Sequence, residues 1–257
     1  MAKLVASVSV AERLGTSKVT LIDPRRPMKY LSGHLAGAIN VPAYKAFGTD
    51  GKLLAPNELS AWIGGAGLGD SVTPVLYDSP EGQNAAMLAW ILEYLGRTDV
   101  EVMDAFFEQW KAEGREVLYK PVEAPTRHFT VHLNPAIRAT LAEVREQSQL
   151  KLVDFRSAEE FTGARDTDGH PGHIPGAANI VWRDLARPPA RLLAPRDQLE
   201  RMFADASVRP GEKIIAYCRS GPRAALGYLA LRELGYDVQL YDGSYAEWAS
   251  SGLPVEK

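Results

Sequence analysis

Cysteine is almost absent from this chain, which has one, Cys218, in 257 residues. A single cysteine excludes an internal disulfide, as is usual in a reducing compartment. The sequence also lacks a long apolar run. The opening residues, 1–6, are soon followed by Ser7, Glu12 and Arg13, and no stretch approaches the about 20 apolar residues of a membrane span. We therefore predict a cytoplasmic protein with no signal peptide and no membrane partner.

An excess of charge of one sign is missing as well. The sequence has 29 lysines and arginines against 32 aspartates and glutamates, a formal net charge of −3. It has no overall basic field, so no nucleic-acid partner is predicted. The five histidines are scattered among Asp and Gly, without the spacing of a metal site. A length of 257 residues with 46% hydrophobic content suits one large globular domain or two of ordinary size.

The single cysteine lies between a predicted strand and a predicted helix. The apolar run Ile214 to Tyr217 is typical of a buried parallel strand. The amphipathic run 223–234 is typical of a helix, and Gly235 is a good end for it. Cys218 is thus predicted at the start of a helix, where backbone N–H groups face outward with partial positive charge.

Two arginines add full charges to this turn. Arg219 and Arg223 flank the Cys218 loop, and positive charge beside a cysteine favours the nucleophilic thiolate. The alternative is a buried cysteine that packs as a small hydrophobe. The arginines, together with Gly221 and Pro222, argue against burial in apolar packing, so we predict a reactive thiol.

The chain is a duplication, because five sequence blocks occur twice in the same order. The matched pairs are residues 21–25 with 152–156, 33–40 with 172–179, 74–77 with 214–217, 85–96 with 224–235, and 103–110 with 241–248. Each half alternates short apolar strands with helical patterns, which is typical of parallel sheets covered by helices. The expected fold class is therefore α/β, with two tandem domains, each a parallel sheet flanked by helices.

The boundary between the copies is a stretch with two prolines, Pro121 and Pro125, and no helical period. We therefore predict a first domain at 1–117, a linker at 118–133 and a second domain at 134–257.

The two copies differ at the thiol. Alignment of the strands places Asp78 where Cys218 stands, and the turn that follows, 79–83, contains no arginine. Only the second copy can carry thiol chemistry. We predict that the first copy is inactive and supplies one wall of a cleft between the halves.

These blocks resemble those of the rhodaneses. The resemblance is carried by Asp154-Phe-Arg156, Gly172-His173-Ile-Pro-Gly176-Ala, Cys218-Arg-Ser-Gly-Pro-Arg223 and Asp242-Gly-Ser-Tyr-Ala-Glu-Trp248. It covers nearly the whole chain, inactive first repeat included. The chain is similar to the two-domain sulfurtransferases, which comprise thiosulfate sulfurtransferase and mercaptopyruvate sulfurtransferase.

The resemblance implies two tandem rhodanese-like domains and a catalytic Cys218. In that family the cysteine attacks a small-molecule sulfur donor, becomes a persulfide, and passes the outer sulfur to cyanide or a thiol acceptor. No metal or organic cofactor is expected, because sulfur is itself the covalent intermediate. We also expect a monomer.

The substrate-binding residues predicted around Cys218 are Arg156, Arg219, Ser220, Gly221 and Arg223. Backbone N–H groups within residues 219–223, of which Pro222 has none, can hold an anionic donor or persulfide, and Gly221 lets the backbone turn inward. Arg219 and Arg223 can favour an anionic donor through charge-assisted hydrogen bonds. Arg156 is included because the resemblance implies that it binds the anionic group of the donor.

Several functions remain open at this point. Four residues separate Cys218 from Arg223, one fewer than in the loop of cysteine phosphatases, which disfavours a phosphatase or an arsenate reductase. By resemblance, Arg219 favours thiosulfate as the donor, whereas Ser220 and Gly221 favour 3-mercaptopyruvate, for which Arg165 is a further candidate contact. A non-catalytic rhodanese-like binding module is the remaining alternative, and the intact cysteine loop favours the enzyme.

Overall fold

A computed structural model shows how the two copies fold, and it describes residues 2–16, 18–146, 150–189 and 191–257. Contacts divide the chain into two compact units. The first comprises Met1–Asn134 and Ala186–Leu192, and the second comprises Pro135–Leu185 and Leu193–Lys257. Residues 118–133 and 186–192 therefore belong, by their contacts, to the first unit.

The first unit is built on a parallel sheet with the strand order β1-β6-β5-β2-β4. Its strands are β1 (Lys3–Val5), β2 (Val19–Asp23), β4 (Ile39–Asn40), β5 (Thr73–Asp78) and β6 (Glu101–Phe106), and β3 (His34–Leu35) pairs antiparallel with β7 (Val117–Leu118). Its helices are α1 (Ser7–Arg13), α2 (Pro27–Leu31), α3 (Pro56–Gly65), α4 (Gln83–Tyr94) and α5 (Phe107–Ala112), with a 3-10 turn at Ala43–Ala46.

The second unit repeats this plan with the strand order β11-β10-β8-β9, again parallel. Its strands are β8 (Leu150–Asp154), β9 (Ala178–Asn179), β10 (Lys213–Tyr217) and β11 (Asp237–Leu240). Its helices are α6 (Leu141–Glu146), α7 (Ala158–Phe161), α8 (Arg196–Asp205), α9 (Pro222–Glu233) and α10 (Ser244–Ser250), with 3-10 turns at Pro135–Ile137 and Trp182–Leu185.

The duplication extends into the two cores. Leu21, Val75, Tyr77, Met103 and Trp110 form part of the first core, and their sequence-matched counterparts Leu152, Ile215, Tyr217, Tyr241 and Trp248 occupy the second. Both tryptophans are only 3% exposed. Apolar strands covered by helices on parallel sheets confirm the α/β fold class that the alternating pattern predicted.

The proline-containing segment 118–133 packs along the first unit. The N–H of Arg127 donates to the carbonyl of Gly64 (2.9 Å), and the N–H of His132 donates to the carbonyl of Leu95 (2.9 Å). The Ser60 hydroxyl donates to the Phe129 carbonyl at 2.6 Å. These bonds satisfy backbone groups of residues 119–133, which lie outside the strands.

In the part of the chain that the structure describes, no helix combines the length and the apolar character needed to cross a membrane.

Candidate active site

The candidate site is the loop that joins β10 to α9. Cys218 directly follows the last residue of β10, and Gly221 is the N-cap of α9, with Pro222 in the first helical position. Gly221 has φ of +104°, a conformation that residues with a Cβ rarely adopt. Proline suits the first turn of a helix because it has no N–H to leave unpaired. Local sequence thus specifies a sharp turn at the carboxyl end of the strand.

The loop points a backbone donor at the sulfur. The N–H of Gly221 lies 3.2 Å from the Sγ atom of Cys218. The Cys218 side chain is 1% exposed, which is deeper than its charged neighbours indicated in the sequence. Its surroundings nevertheless include a polar donor, and a donor at this distance stabilises a thiolate or a persulfide anion.

Helix α10 holds the Cys218 loop through hydrogen bonds. The N–H of Tyr245 donates to the carbonyl of Cys218, and the N–H of Ala246 donates to the carbonyl of Arg219, both at 3.0 Å. The buried Ser244 hydroxyl accepts from the N–H of Cys218 (3.3 Å) and donates to the Tyr241 carbonyl (2.8 Å). These bonds hold the nucleophile in one position.

Sequence reasoning missed Ser244. The signal that could have found it is the contrast between the copies, because the matched position in the first copy is Phe106. Only the copy with a thiol has a hydroxyl there.

Arg219 is half exposed and paired. Its Nε and Nη2 atoms donate to Oδ1 of Asp168, at 3.0 and 2.9 Å. Asp168 belongs to the segment 162–172, which follows α7.

Arg223 is also paired, with a buried glutamate. Its Nη1 and Nη2 atoms donate to the two carboxylate oxygens of Glu160 at 2.6 and 3.0 Å. Arg165 lies 3.1 Å from the same carboxylate. Burial would raise the pKa of Glu160, but the hydrogen bonds from Arg223 and from the Ser157 backbone, with the two arginine charges, lower it to about 2. Glu160 therefore stays ionised and fixes Arg223 beside the thiol loop.

Arg156 lies within the core. It is 1% exposed, and its Nε and Nη2 atoms bond the Asp154 carboxylate while Nη2 also donates to the carbonyl of Gly172 at 2.8 Å. In the first copy Arg25 makes the same set of bonds to Asp23 and Gly33. The copy without a thiol repeats this arrangement, and this repetition favours a structural role for Arg156. Donor binding by Arg156 stays a prediction.

The equivalent loop of the first copy holds a carboxylate. Asp78 accepts from the N–H groups of Ser79, Asn84 and Ala85 at 2.8, 2.7 and 3.0 Å. Burial raises the pKa of Asp78 to about 6, although these donors favour the charged form. The start of α4 therefore already holds an anion of its own, fixed in the chain.

The remaining predicted residue, Ser220, is exposed. The structure therefore brings together Cys218, Gly221, Arg219 and Arg223, each on or beside one turn. No group of three or more His, Cys, Asp or Glu side chains that could hold a metal ion occurs among the described residues.

Fold and site together define a duplicated parallel α/β protein with one thiol loop and one copy in which Asp78 takes the place of the cysteine. Comparison with known proteins identifies the family to which the chain belongs. The rhodanese-like domain matches twice, at residues 8–113 and 138–251. The chain belongs to the rhodanese-like family, as the sequence motifs predicted.

Relatives with assigned names cover nearly the full chain. A thiosulfate sulfurtransferase of Corynebacterium glutamicum is 30% identical over 99% of this chain and 90% of its own length. A thiosulfate sulfurtransferase of Pseudomonas aeruginosa is 30% identical over 96% of this chain and 94% of its own.

Solved structures show the same fold. The 3-mercaptopyruvate sulfotransferase SseA of Escherichia coli superposes with a TM-score of 0.86 at 25% identity, covering 95% of this chain and 99% of that one. An anaerobic ergothioneine biosynthesis enzyme of Chlorobium limicola superposes with a TM-score of 0.87 at 22% identity, covering 99% of this chain and 70% of that one. The second likeness concerns the fold alone.

Proposed function

We propose that this protein is a sulfurtransferase that takes sulfane sulfur from thiosulfate and carries it as a persulfide on Cys218. The observation that carries the proposal is the N–H of Gly221, 3.2 Å from the sulfur in a loop that contains Arg219 and is followed by Arg223 in the first turn of α9. A donor fixed on the nucleophile stabilises negative charge without reorganisation during the reaction. The names of the relatives support sulfur transfer as the reaction.

The reaction is a pair of displacements at sulfur. The Cys218 thiolate attacks the outer sulfur of thiosulfate, a new S–S bond forms, and the old S–S bond breaks as sulfite leaves with the electron pair. Cyanide or a thiolate then attacks the outer sulfur of the persulfide. Thiocyanate or a new persulfide leaves, and the Cys218 thiolate is restored.

Residues in and around the Cys218 loop have separate roles in these steps. The Gly221 N–H holds the anionic sulfur, Glu160 fixes Arg223, and Ser244 with the α10 backbone holds the cysteine main chain. The first copy has none of this thiol chemistry, since Asp78 occupies the equivalent position.

A second candidate donor is 3-mercaptopyruvate. Arg165 favours it, because this arginine lies beside Glu160 and so near Arg223, where a carboxylate donor could meet it. The structural likeness to SseA supports the same alternative.

The first experiment is intact-mass spectrometry of the protein with thiosulfate, then with cyanide. We expect thiosulfate to add one sulfur atom and cyanide to remove it, and we expect the Cys218→Ser variant to do neither. Sulfur transfer that survives in Cys218→Ser would disprove the mechanism.

Turnover with the two donors then separates the two candidates. Faster turnover per unit concentration with thiosulfate supports the proposal, and faster turnover with 3-mercaptopyruvate favours the alternative. A protein that gains no sulfur from either donor would contradict the proposal and favour the binding-module alternative.

A further inference from the structure

We propose that Asp168 is a specificity-determining residue that neutralises Arg219 and so weakens the binding of anions at the Cys218 loop, dianions most of all. This inference rests on the proposed function, because it concerns the donor of that site. Arg219 is adjacent to the nucleophile, and the sequence alone presented it as a free cation. The structure assigns it an internal carboxylate partner.

The ion pair has well-aligned geometry. The Nε–Nη2 edge of Arg219 faces Asp168, with the Nε donor also 3.2 Å from Oδ2. The guanidinium is 47% exposed and the carboxylate 11% exposed. An anion that approaches Cys218 must therefore compete with a carboxylate that is already in place.

The segment around Asp168 holds its carboxylate toward the loop. Oδ1 of Asp166 accepts from the N–H groups of Asp168 (3.0 Å) and Gly169 (2.7 Å). The Thr167 hydroxyl donates to Oδ2 of Asp168 at 2.9 Å, and the Tyr245 hydroxyl anchors the chain two residues further on by donating to the His170 carbonyl at 2.6 Å. Such pre-organisation makes the carboxylate an effective competitor, since little freedom is lost when the pair forms.

The segment that contains Asp168 is longer in the second copy, which holds the thiol, than in the first. In both copies a histidine stacks on an aromatic ring of the preceding helix, His34 on Tyr30 and His173 on Phe161. Three residues separate Tyr30 from His34, whereas eleven separate Phe161 from His173. Asp168 lies in the longer segment, between Phe161 and His173. The competing carboxylate is therefore present in the copy with Cys218 and has no counterpart in the copy with Asp78.

The charge of a donor decides how strongly Asp168 weakens its binding. The attraction between a ligand and Arg219, and the repulsion between that ligand and Asp168, both scale with the ligand's charge. Thiosulfate and sulfite carry two negative charges, whereas 3-mercaptopyruvate carries one carboxylate. Removal of the Asp168 charge should therefore strengthen the binding of a dianion more than that of a monoanion. With the charge present, the dianionic product sulfite is released more readily.

The test measures anion binding without sulfur transfer. Sulfate, a dianion with no transferable sulfur, is titrated as a protectant of Cys218 against iodoacetamide, and the extent of alkylation is read from the intact mass. Cys218 is the only cysteine in the sequence, so the signal reports one site. We expect Asp168→Asn to lower the sulfate concentration for half-protection about two- to five-fold, the range of a partly exposed ion pair.

Two further variants locate the effect. In an Arg219→Ala background, Asp168→Asn should shift half-protection clearly less than it does in the unmodified protein, because the cation that it neutralises is gone and only the direct repulsion between Asp168 and the anion remains. Asp197→Asn, which removes the same charge from the exposed Asp197–Arg201 pair of α8, should leave half-protection unchanged. In turnover, Asp168→Asn should lower the KM for thiosulfate more than the KM for 3-mercaptopyruvate.

Unchanged half-protection in Asp168→Asn overturns the inference. An equal shift in the Arg219→Ala background does so too, because it would show an effect that does not pass through Arg219. A failure of the proposed function looks different: thiosulfate would then leave no sulfur on Cys218, while the sulfate titration would still decide the role of Asp168.

Discussion

At the scale of single residues, each arginine beside the thiol loop has a carboxylate partner. Arg219 faces Asp168, and Arg223 faces Glu160 together with Arg165. The positive charge that the sequence predicts for this turn is thus largely balanced by carboxylates in the folded chain. The positive charge that remains for a donor depends on carboxylates that come from a different segment.

The Glu160 carboxylate gives a pH-dependent prediction. Its pKa of about 2 lies below the about 4.3 of an unfolded chain, so it contributes stability that is present above the unfolded value and is lost as the pH falls toward 2. We expect Glu160→Gln to lower the free energy of unfolding by about 1–3 kcal/mol at pH 7. The deficit should shrink as the pH falls from about 5 to about 3, measured by urea unfolding.

A matched control is Glu200→Gln, which breaks the exposed pair with Arg196 on α8. We expect this change to cost less than about 0.5 kcal/mol at any pH. A Glu160→Gln deficit that stays constant with pH would contradict the electrostatic account.

At the scale of elements, one strand–turn–helix unit occurs twice with different contents. In the second copy the turn after β10 holds a thiol beside arginines, and in the first copy Asp78, the last residue of β5, lies against the start of α4. Both turns direct N–H groups at the side chain at the carboxyl end of the strand. The scaffold is therefore shared, and the chemistry depends on the residues placed in it.

This contrast predicts that a thiol alone does not make the first copy active. In a Cys218→Ala background, Asp78→Cys should show no sulfur transfer above that of Cys218→Ala itself. The new thiol would lack counterparts of Arg219 and Arg223, because residues 79–83 contain no arginine. The measurement is single-turnover sulfur loading by mass, with circular dichroism to confirm folding. Loading at the rate of the unmodified protein would show that the arginines are dispensable.

At the scale of the whole molecule, the segment 118–133 is a packed part of the first unit. It runs past the end of α4, where the N–H of His132 bonds the carbonyl of Leu95 and the N–H of Asn134 bonds the carbonyl of Tyr94. Gly96 has φ of +101°, and a Cβ there would meet the backbone of His132. Its twin Gly235 has φ of +87° and open space around it.

The two glycines form a matched pair for a stability test. Gly235→Ala should cost about 1–2 kcal/mol from the left-handed backbone alone. Gly96→Ala should cost about 1–3 kcal/mol more, because the added methyl group also displaces the segment. The comparison is made by thermal unfolding of the full chain. Equal costs at the two positions would show that the segment does not pack against the helix end.

The sequence by itself determined the duplication, the α/β class, the position of the thiol turn and the inactivity expected of the first copy. These follow from local patterns: short apolar runs, helix ends marked by glycine, and the comparison of two copies within one chain. Cys218 and Gly221 are three residues apart, so their contact is set by a single turn.

Only the tertiary structure decided which partners the arginines have. Asp168 lies 51 residues from Arg219, and Glu160 lies 63 residues from Arg223. Pairing over such distances depends on how the parallel strands assemble and on the path of the added segment, neither of which leaves a periodic signal in sequence. The burial of Cys218 and Arg156 has the same origin, because burial depends on elements that are remote along the chain.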